Sequence, residues 1–240
     1  MVKGLDIFGK YFADFKDQYV IIGGAACDIH IQTAELTPRV TKDIDMILIV
    51  DGRYERNENG EGKRQYYRFV KPANKEFPVQ IELFSRHPDL LDHDDRVHLI
   101  PVPTPDDLSS LSAILLDDSY YNLVIDNSGI FNGIHWASIE ALICLKAKAF
   151  IDISKRIAEG GKEDKKLLRK HKGDIFRLGI LLAESDIYIL PDKVSGDLKV
   201  FLNMIKDDLP DKAIFKELGV NVSPKDVFFQ IKSSLLSEEL

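Results

Sequence analysis

Residues 19–50 read YVIIGGAACDIHIQTAELTPRVTKDIDMILIV, and this stretch decides the fold. A short apolar run, Val20-Ile21-Ile22, leads into Gly23-Gly24. A small-residue segment, Ala25 to Ile31, follows with the composition of a short helix, and Thr37-Pro38 breaks it. The stretch closes on a second apolar run that opens with Asp43 and Asp45, one residue apart. On a strand, alternate residues share a face, so the two carboxylates lie roughly 7 Å apart on one side. Like charges at that spacing repel unless a cation or proton stands between them. An all-oxygen, carboxylate site suits a hard cation, above all Mg²⁺. After the pair the alternation stops. Met46 to Val50 is apolar on both faces, which predicts a central strand covered on both sides, with its acidic end at the sheet's edge.

The glycine doublet adds a second chemistry. A Gly-Gly turn between strand and helix lets backbone N–H groups approach an anion closely, and the helix N-terminus behind it favours phosphate. Alone, a Gly-Gly doublet is an ordinary tight turn, and a D-x-D pair is an ordinary solvated strand end. Together, joined by a polar loop carrying Arg39 and Thr41, they are far more specific.

The pattern GG…R-x-T-x-D-x-D, carried by Gly23, Gly24, Arg39, Thr41, Asp43 and Asp45, resembles the nucleotidyltransferase superfamily with the DNA-polymerase-β-like catalytic fold. It is most similar to the AbiEii-type toxin branch, in which a loop lengthens the gap between the glycines and D-x-D. The superfamily often has Ser as the second residue of the doublet, its hydroxyl contacting phosphate; here that residue is Gly24. The resemblance implies transfer of a nucleoside monophosphate from an NTP to a hydroxyl, with Mg²⁺ held by three carboxylates. It implies Gly23, Gly24, Arg39 and Thr41 as nucleotide-binding residues. It implies an α+β fold: a mixed sheet flanked by helices over residues 1–103, then a mainly helical domain over 104–240. An antitoxin protein is the partner that the toxin-like branch implies.

Composition sets the frame. The chain has 240 residues, enough for one large domain or two small ones. The net charge of −7 gives no global basic field to attract nucleic acid. Two cysteines, Cys27 and Cys144, suggest a reduced, cytoplasmic setting with no disulfide framework. The N-terminal stretch lacks the apolar core of a signal peptide, and no apolar run has membrane-spanning length.

Upstream of the deciding stretch, Leu5, Phe8, Tyr11, Phe12 and Phe15 fall at helical spacing and predict a first amphipathic helix. Downstream, residues 51–63 read as a polar loop and Gln65 to Lys71 as a strand. In Val79-Gln80-Ile81-Glu82-Leu83-Phe84, the apolar Val79, Ile81 and Leu83 share one face and Glu82 takes the other. A carboxylate inside such a strand either faces water at an edge or is paired with a cation. The resemblance favours the second, because the family places its third metal carboxylate on a neighbouring strand after D-x-D. His87, His93 and His98 fit no zinc-ligand spacing and read as solvated. A strand over residues 97–102 and a helix starting at Thr104-Pro105 come next. The domain change belongs there, and only a hairpin around Asp126-Asn127-Ser128-Gly129 interrupts the helices beyond it.

The helix predicted over Ser138 to Ala158 carries an apolar stripe of Ile139, Leu142, Ile143, Phe150, Ile153 and Ile157. Lys146 falls inside that stripe and Lys148 away from it. A lysine so placed snorkels to water or meets a phosphate in a cleft. The resemblance supports the phosphate, since Lys146-Ala147-Lys148-Ala149 matches the branch's Lys-x-x-Ala motif at Lys146. Residues 162–172 (KEDKKLLRKHK) form the most basic segment. It is either a solvated face or the local contact for an RNA backbone. A further helix is predicted to open at His171. The family's matching motif has an acid at Asp174, which adds that residue to the nucleotide-binding set. A second acid often follows three residues on, where this chain has Arg177. That departure suggests that Asp174 orients Lys146 or starts the helix. Two or three short helices bounded by Pro191, Pro210 and Pro224 complete the chain.

Three functional classes follow. The first is a metal-dependent nucleotidyltransferase in which Asp43, Asp45 and Glu82 hold Mg²⁺ and Lys146 offsets triphosphate charge. Its acceptor is open among a tRNA end, a protein side chain and a small molecule such as an aminoglycoside. The second is a binding module of the same fold without turnover, against which the retained carboxylate pair argues. The third is a metal-dependent phosphodiesterase or nuclease, which usually adds histidines beside its carboxylates; none follows D-x-D closely here.

Overall fold

The computed structural model describes residues 3–39, 41, 43–49, 68–70, 76, 78–85, 117–162, 164–183, 185 and 187–236. The expected loop over 51–63, the strand over 97–102, the helix at Thr104 and the histidines His87, His93 and His98 lie outside these residues. So does the side chain of Glu82.

The chain is α+β, built on a mixed sheet. A short helix, α1 (Leu5–Tyr11), and a 3₁₀ turn (Ala13–Gln18) lead into β1 (Tyr19–Ile22). The predicted first helix therefore ends early. Phe8 and Phe12 stack with centroids 4.5 Å apart and both pack edge-on against Tyr19, whereas Phe15 stays exposed. Then come α2 (Gly23–Thr33), β2 (Asp43–Leu48), β3 (Arg68–Val70) and β4 (Gln80–Ser85). After α3 (Asp118–Asp126), β5 (Ser128–Phe131) and β6 (Ile134–Ala137) form a hairpin. Five helices follow: α4 (Ile139–Ala158), α5 (Lys165–Gly179), α6 (Asp192–Ile205), α7 (Ala213–Leu218) and α8 (Pro224–Leu235).

Among the described residues the sheet has six strands in the order β3-β4-β2-β1-β6-β5. β2 runs antiparallel to β1 and parallel to β4; β6 runs parallel to β1. Ile44, Met46 and Ile47 are all fully buried, so β2 is covered on both faces as its apolar run requires.

The hairpin is real, but its turn is not at Asp126–Gly129. It lies at Asn132-Gly133, whose φ angles of 52° and 76° are those of a type I′ turn, the turn that Asn-Gly favours. Asn127 instead ends α3. Because β6 pairs with β1, the sheet takes strands from both sides of the expected boundary at 103/104. One continuous core joins the sheet to the C-terminal helices, from Phe8 and Ile21 to Phe176, Phe201 and Ile231.

α4 is the central helix. Ser138 caps it by accepting from Ala141 N–H, and Glu140 in the first turn and Lys155 and Arg156 in the last complement its dipole. It packs chiefly on α5 and α6. α5 starts at the Asp164 cap, not at His171, so the basic run and Asp174 share one helix. Its buried half carries the tail: a side chain at Gly179 would collide with Val227 and Ile231 of α8.

Candidate active site

The register of the sheet assembles the site. Ile22, the last residue of β1, pairs with Asp45, and Asp45 on its other side pairs with Glu82 of β4. Asp43 lies beyond the end of β1, where the chain turns into α2 at Gly23-Gly24. Adjacent strands are about 4.8 Å apart, so Glu82 occupies the register position beside the carboxylate pair. The helix start, the D-x-D pair and Glu82 thus share one sheet edge.

The doublet is fitted to its neighbours atom by atom. Gly23 has φ +67°, and a Cβ there would collide with the carboxylate of Asp45. A Cβ on Gly24 would stand 2.7 Å from Thr41 Oγ1. The Thr41 hydroxyl therefore fills the space that a serine at position 24 would use. The Gly24 backbone N–H bonds to Asp45. Thr41 is itself held by Asp28, whose Oδ2 accepts from Thr41 N–H at 2.9 Å and also bonds the Thr41 side chain. Asp28 is a buried carboxylate in α2. Burial raises its pKa while Thr41 and Arg39 pull it down, leaving it above the usual carboxylate value.

Asp45 is half-buried. Burial raises its carboxyl above the ordinary value, against Lys146 and Lys170, which lower it; the charge of Asp43 adds to the rise. A like-charge repulsion of that kind is what a divalent cation relieves. Two carboxylates offer only oxygen, the donor atom that hard cations take, and Glu82 holds the register position next to Asp45. Among the described residues no group of three metal-ligating side chains is gathered; the side chain of Glu82 lies outside the described set.

Across from this edge stands a buried ionic cluster. Lys146 on α4 and Asp174 on α5 are both buried, with Nζ 2.9 Å from Oδ2. Arg39 Nη2 meets the same oxygen at 3.2 Å, and Arg177 Nη1 meets Oδ1 at 3.5 Å. Burial opposes the Lys146 charge, but the Asp174 carboxylate outweighs it and holds the ammonium above its ordinary pKa. Burial likewise raises Asp174, and Lys146 and Arg39 more than reverse this, so its carboxyl lies below the usual range. Asp174 sits in mid-helix, so it orients Lys146 and does not start a helix. Arg177, where the resembled family often has a second acid, bridges Asp174 to Glu217 of α7 at 3.1 Å. Lys148 turns elsewhere, to Asp152 at 3.2 Å and Asp197 at 3.5 Å.

Sequence reasoning missed Asp28 and the part Arg177 plays in the ionic cluster. Asp28 carried a signal: it is the one acid in an otherwise small and apolar helix start. Cys27 donates its thiol to Gly23 O at 3.0 Å, and burial pushes that thiol up to about 12, so it stays protonated under the glycine turn. The basic run divides. Lys165, Lys166, Arg169 and Lys170 are exposed, whereas Lys172 is buried and donates to the carbonyl and carboxylate of Asp208 at 2.6 and 2.7 Å. Among the described residues no helix is long and apolar enough to cross a membrane. Comparison with protein-family models, with curated proteins and with solved structures gave no match to this chain.

Proposed function

We propose that this edge is the active site of a magnesium-dependent nucleotidyltransferase, which moves a nucleoside monophosphate from an NTP to an acceptor hydroxyl. The observation that carries the reading is the fit of Gly23 and Gly24 around Asp45 and Thr41, with the Lys146 ammonium close enough to act on the Asp45 carboxyl. A site with one chemistry alone, phosphate binding or metal binding, has no need of both.

Asp43, Asp45 and Glu82 would hold the cation. Bound there, Mg²⁺ supplies charge neutralisation at the phosphates and polarises the acceptor hydroxyl. The N-terminus of α2 directs its free N–H groups toward the phosphates. Lys146 has three N–H donors, so it keeps Asp174 and offers a further bond to a phosphoryl oxygen. Arg39, with its side chain 39% exposed, lies at the outer side of the same cluster and adds a second cation. In the transfer the acceptor oxygen forms a bond to the α-phosphorus, the bond to the bridging oxygen breaks, and pyrophosphate leaves. The acceptor proton would pass to Asp45 or Glu82. Such catalysis is mainly positioning and charge stabilisation, which the cluster supplies without a nucleophilic side chain.

The acceptor is a tRNA end, a protein side chain or a small molecule, and a protein antitoxin is the partner that a toxin role requires. Incubation with each α-labelled NTP, Mg²⁺ and either total tRNA or cell extract tests the reading. A labelled product that vanishes with Asp45→Asn supports it. NTP binding without any labelled product would favour a binding module of the same fold.

A further inference from the structure

The proposed mechanism leaves one buried charge unused. Arg177 on α5 is buried, and both ends of its guanidinium are engaged. Nη1 lies 3.5 Å from Asp174 Oδ1, and Nη2 lies 3.1 Å from Glu217 Oε2 on α7. Glu217 is exposed, and a pair with an exposed partner contributes little. The burial of Arg177 is therefore offset mainly by Asp174. The backbone makes room for it as well. Gly173 is buried in mid-helix, four residues before Arg177, and a Cβ there would stand 3.0 Å from Arg177 Nη1. Glycine inside a helix is disfavoured against alanine, so α5 gives up some helix propensity at the turn where the guanidinium sits.

The two oxygens of Asp174 are used differently. Oδ2 takes Lys146 at 2.9 Å and Arg39 at 3.2 Å, the two cations that the mechanism directs to the triphosphate. Oδ1 takes Arg177, which the mechanism does not use. A bound triphosphate would draw on the partners of Oδ2: Arg39 is half-exposed and can turn to it, and Lys146 shares its charge between Asp174 and a phosphoryl oxygen. The triphosphate also brings negative charge toward a buried carboxylate, and this favours protonation of that carboxylate. Once protonated, Asp174 would no longer hold the ammonium by charge. The remaining titratable groups that act on Asp174 are His171 on its own helix and Cys27 and Asp28 on α2. Burial pushes Cys27 up to about 12 and His171 down to about 3, and Asp28 is an acid, so none of the three supplies a positive charge near neutral pH.

We infer that Arg177 is a positioning residue of this site: by pairing with Asp174 Oδ1 it keeps that carboxylate ionised, and Lys146 aimed, while the triphosphate is bound. The inference rests on the nucleotidyltransferase reading above and adds to it a residue that touches neither nucleotide nor metal.

The test uses the full chain, ¹³C-labelled at the aspartate carboxyl carbons, titrated with the α,β-methylene analogues of the four NTPs and Mg²⁺ between pH 6 and pH 8. Asp174→Glu identifies the Asp174 resonance by its loss. In the unaltered protein that resonance should hold its ionised position before and after saturation. In Arg177→Met it should move toward the protonated position on saturation, and the analogue should bind at least about tenfold more weakly at pH 8. The loss should shrink as pH falls toward 6, because proton uptake by Asp174 then costs less; a merely structural role for Arg177 gives a loss that pH does not change. Arg177→Lys, which keeps the positive charge, should recover most of the affinity. The resonance measurement on the unaltered protein does not depend on how Arg177→Met folds. Protonation of Asp174 on saturation of the unaltered protein, equal affinity in Arg177→Met, or a loss that is the same at pH 6 and pH 8 overturns the inference and leaves the nucleotidyltransferase reading standing. No binding of any analogue to the unaltered protein overturns both.

Discussion

Removing the Asp174 carboxylate is the sharpest perturbation of the ionic cluster. The side chains of Asp174 and Lys146 are 4% and 8% exposed, and their charges are 2.9 Å apart. Asp174→Asn therefore strands a buried ammonium whose remaining neighbours include two guanidinium groups, Arg39 and Arg177. Breaking a buried pair by deleting one partner costs about 3–5 kcal/mol, a large part of the roughly 5–15 kcal/mol that holds a domain together. Little of that belongs to Arg39, whose side chain is 39% exposed; an exposed pair contributes below about 1 kcal/mol. Arg177 retains Glu217. A double-mutant cycle in urea unfolding separates these contributions. We expect Lys146→Met with Asp174→Asn to show coupling of about 3 kcal/mol, and Arg39→Gln with Asp174→Asn to show less than about 1 kcal/mol. Lys146→Met/Asp174→Leu together should regain most of the loss, since an apolar pair of similar volume can replace a buried ion pair. The reasoning is refuted if Asp174→Asn shifts stability by less than about 1 kcal/mol, or if the two cycles give equal coupling.

Four further outcomes are expected. Gly24→Ser should lower stability and activity by crowding Thr41 Oγ1, which would lie 2.7 Å from the new Cβ; adding Thr41→Ala should restore both, as thermal melts and transfer assays would register. Asp45→Asn should abolish transfer yet leave stability equal or slightly higher at pH 7. Its folded pKa is raised, so its contribution is full in acid and is lost as pH rises through that pKa, a loss that a neutral amide avoids; a destabilised variant in urea titration would contradict this. The unliganded protein should lose stability as pH falls from about 6.5 toward 3, because His171 is depressed to about 3 and its contribution is complete only above the unfolded value. At pH 5 the loss is about 2 kcal/mol, partly offset by the raised carboxyls of Asp28 and Asp45, and His171→Asn should flatten the profile in that window. Lys146→Ala should weaken NTP binding or slow transfer by at least about tenfold; Lys148→Ala, losing only half-exposed partners, should change either by less than about twofold.

How much of this was legible in the sequence follows from the range of each signal. Local patterns were readable. The apolar run after Asp45 foretold a strand covered on both faces, and the stripe with its Ser138 start foretold α4 within a residue. Lys146 was the lysine inside that stripe, and it is the one that the fold buries. The hairpin turn was also a local signal, since Asn132-Gly133 is a strong type I′ pair; Asp126–Gly129 drew attention from it by its composition alone. Pairings across the chain were not readable. That β6 would lie beside β1 depends on which strands meet, and no periodicity encodes it, so the sheet was placed wholly before residue 104. Arg177 looked like a departure from a motif because its partners, Asp174 and Glu217, come together only in the fold.

The same distinction explains the glycine doublet. Read locally, Gly24 stands where the resembled family often places a serine, which suggests a lost hydroxyl. In the fold the Thr41 hydroxyl, seventeen residues later in sequence, stands 2.7 Å from where a Cβ at position 24 would lie, and Asp28 holds Thr41 there. The two positions share one space, so a side chain at either one requires the other to be small. Gly23 is constrained in the same way by Asp45, whose carboxylate fills the place of its missing side chain. Each glycine is therefore matched to a residue of the R-x-T-x-D-x-D segment, and the long loop between them only has to return Thr41 and Asp45 to the end of β1. The spacing between doublet and carboxylates is then free to vary, because the packing at the turn and the pairing of Ile22 with Asp45 set the geometry in place of the number of residues between them.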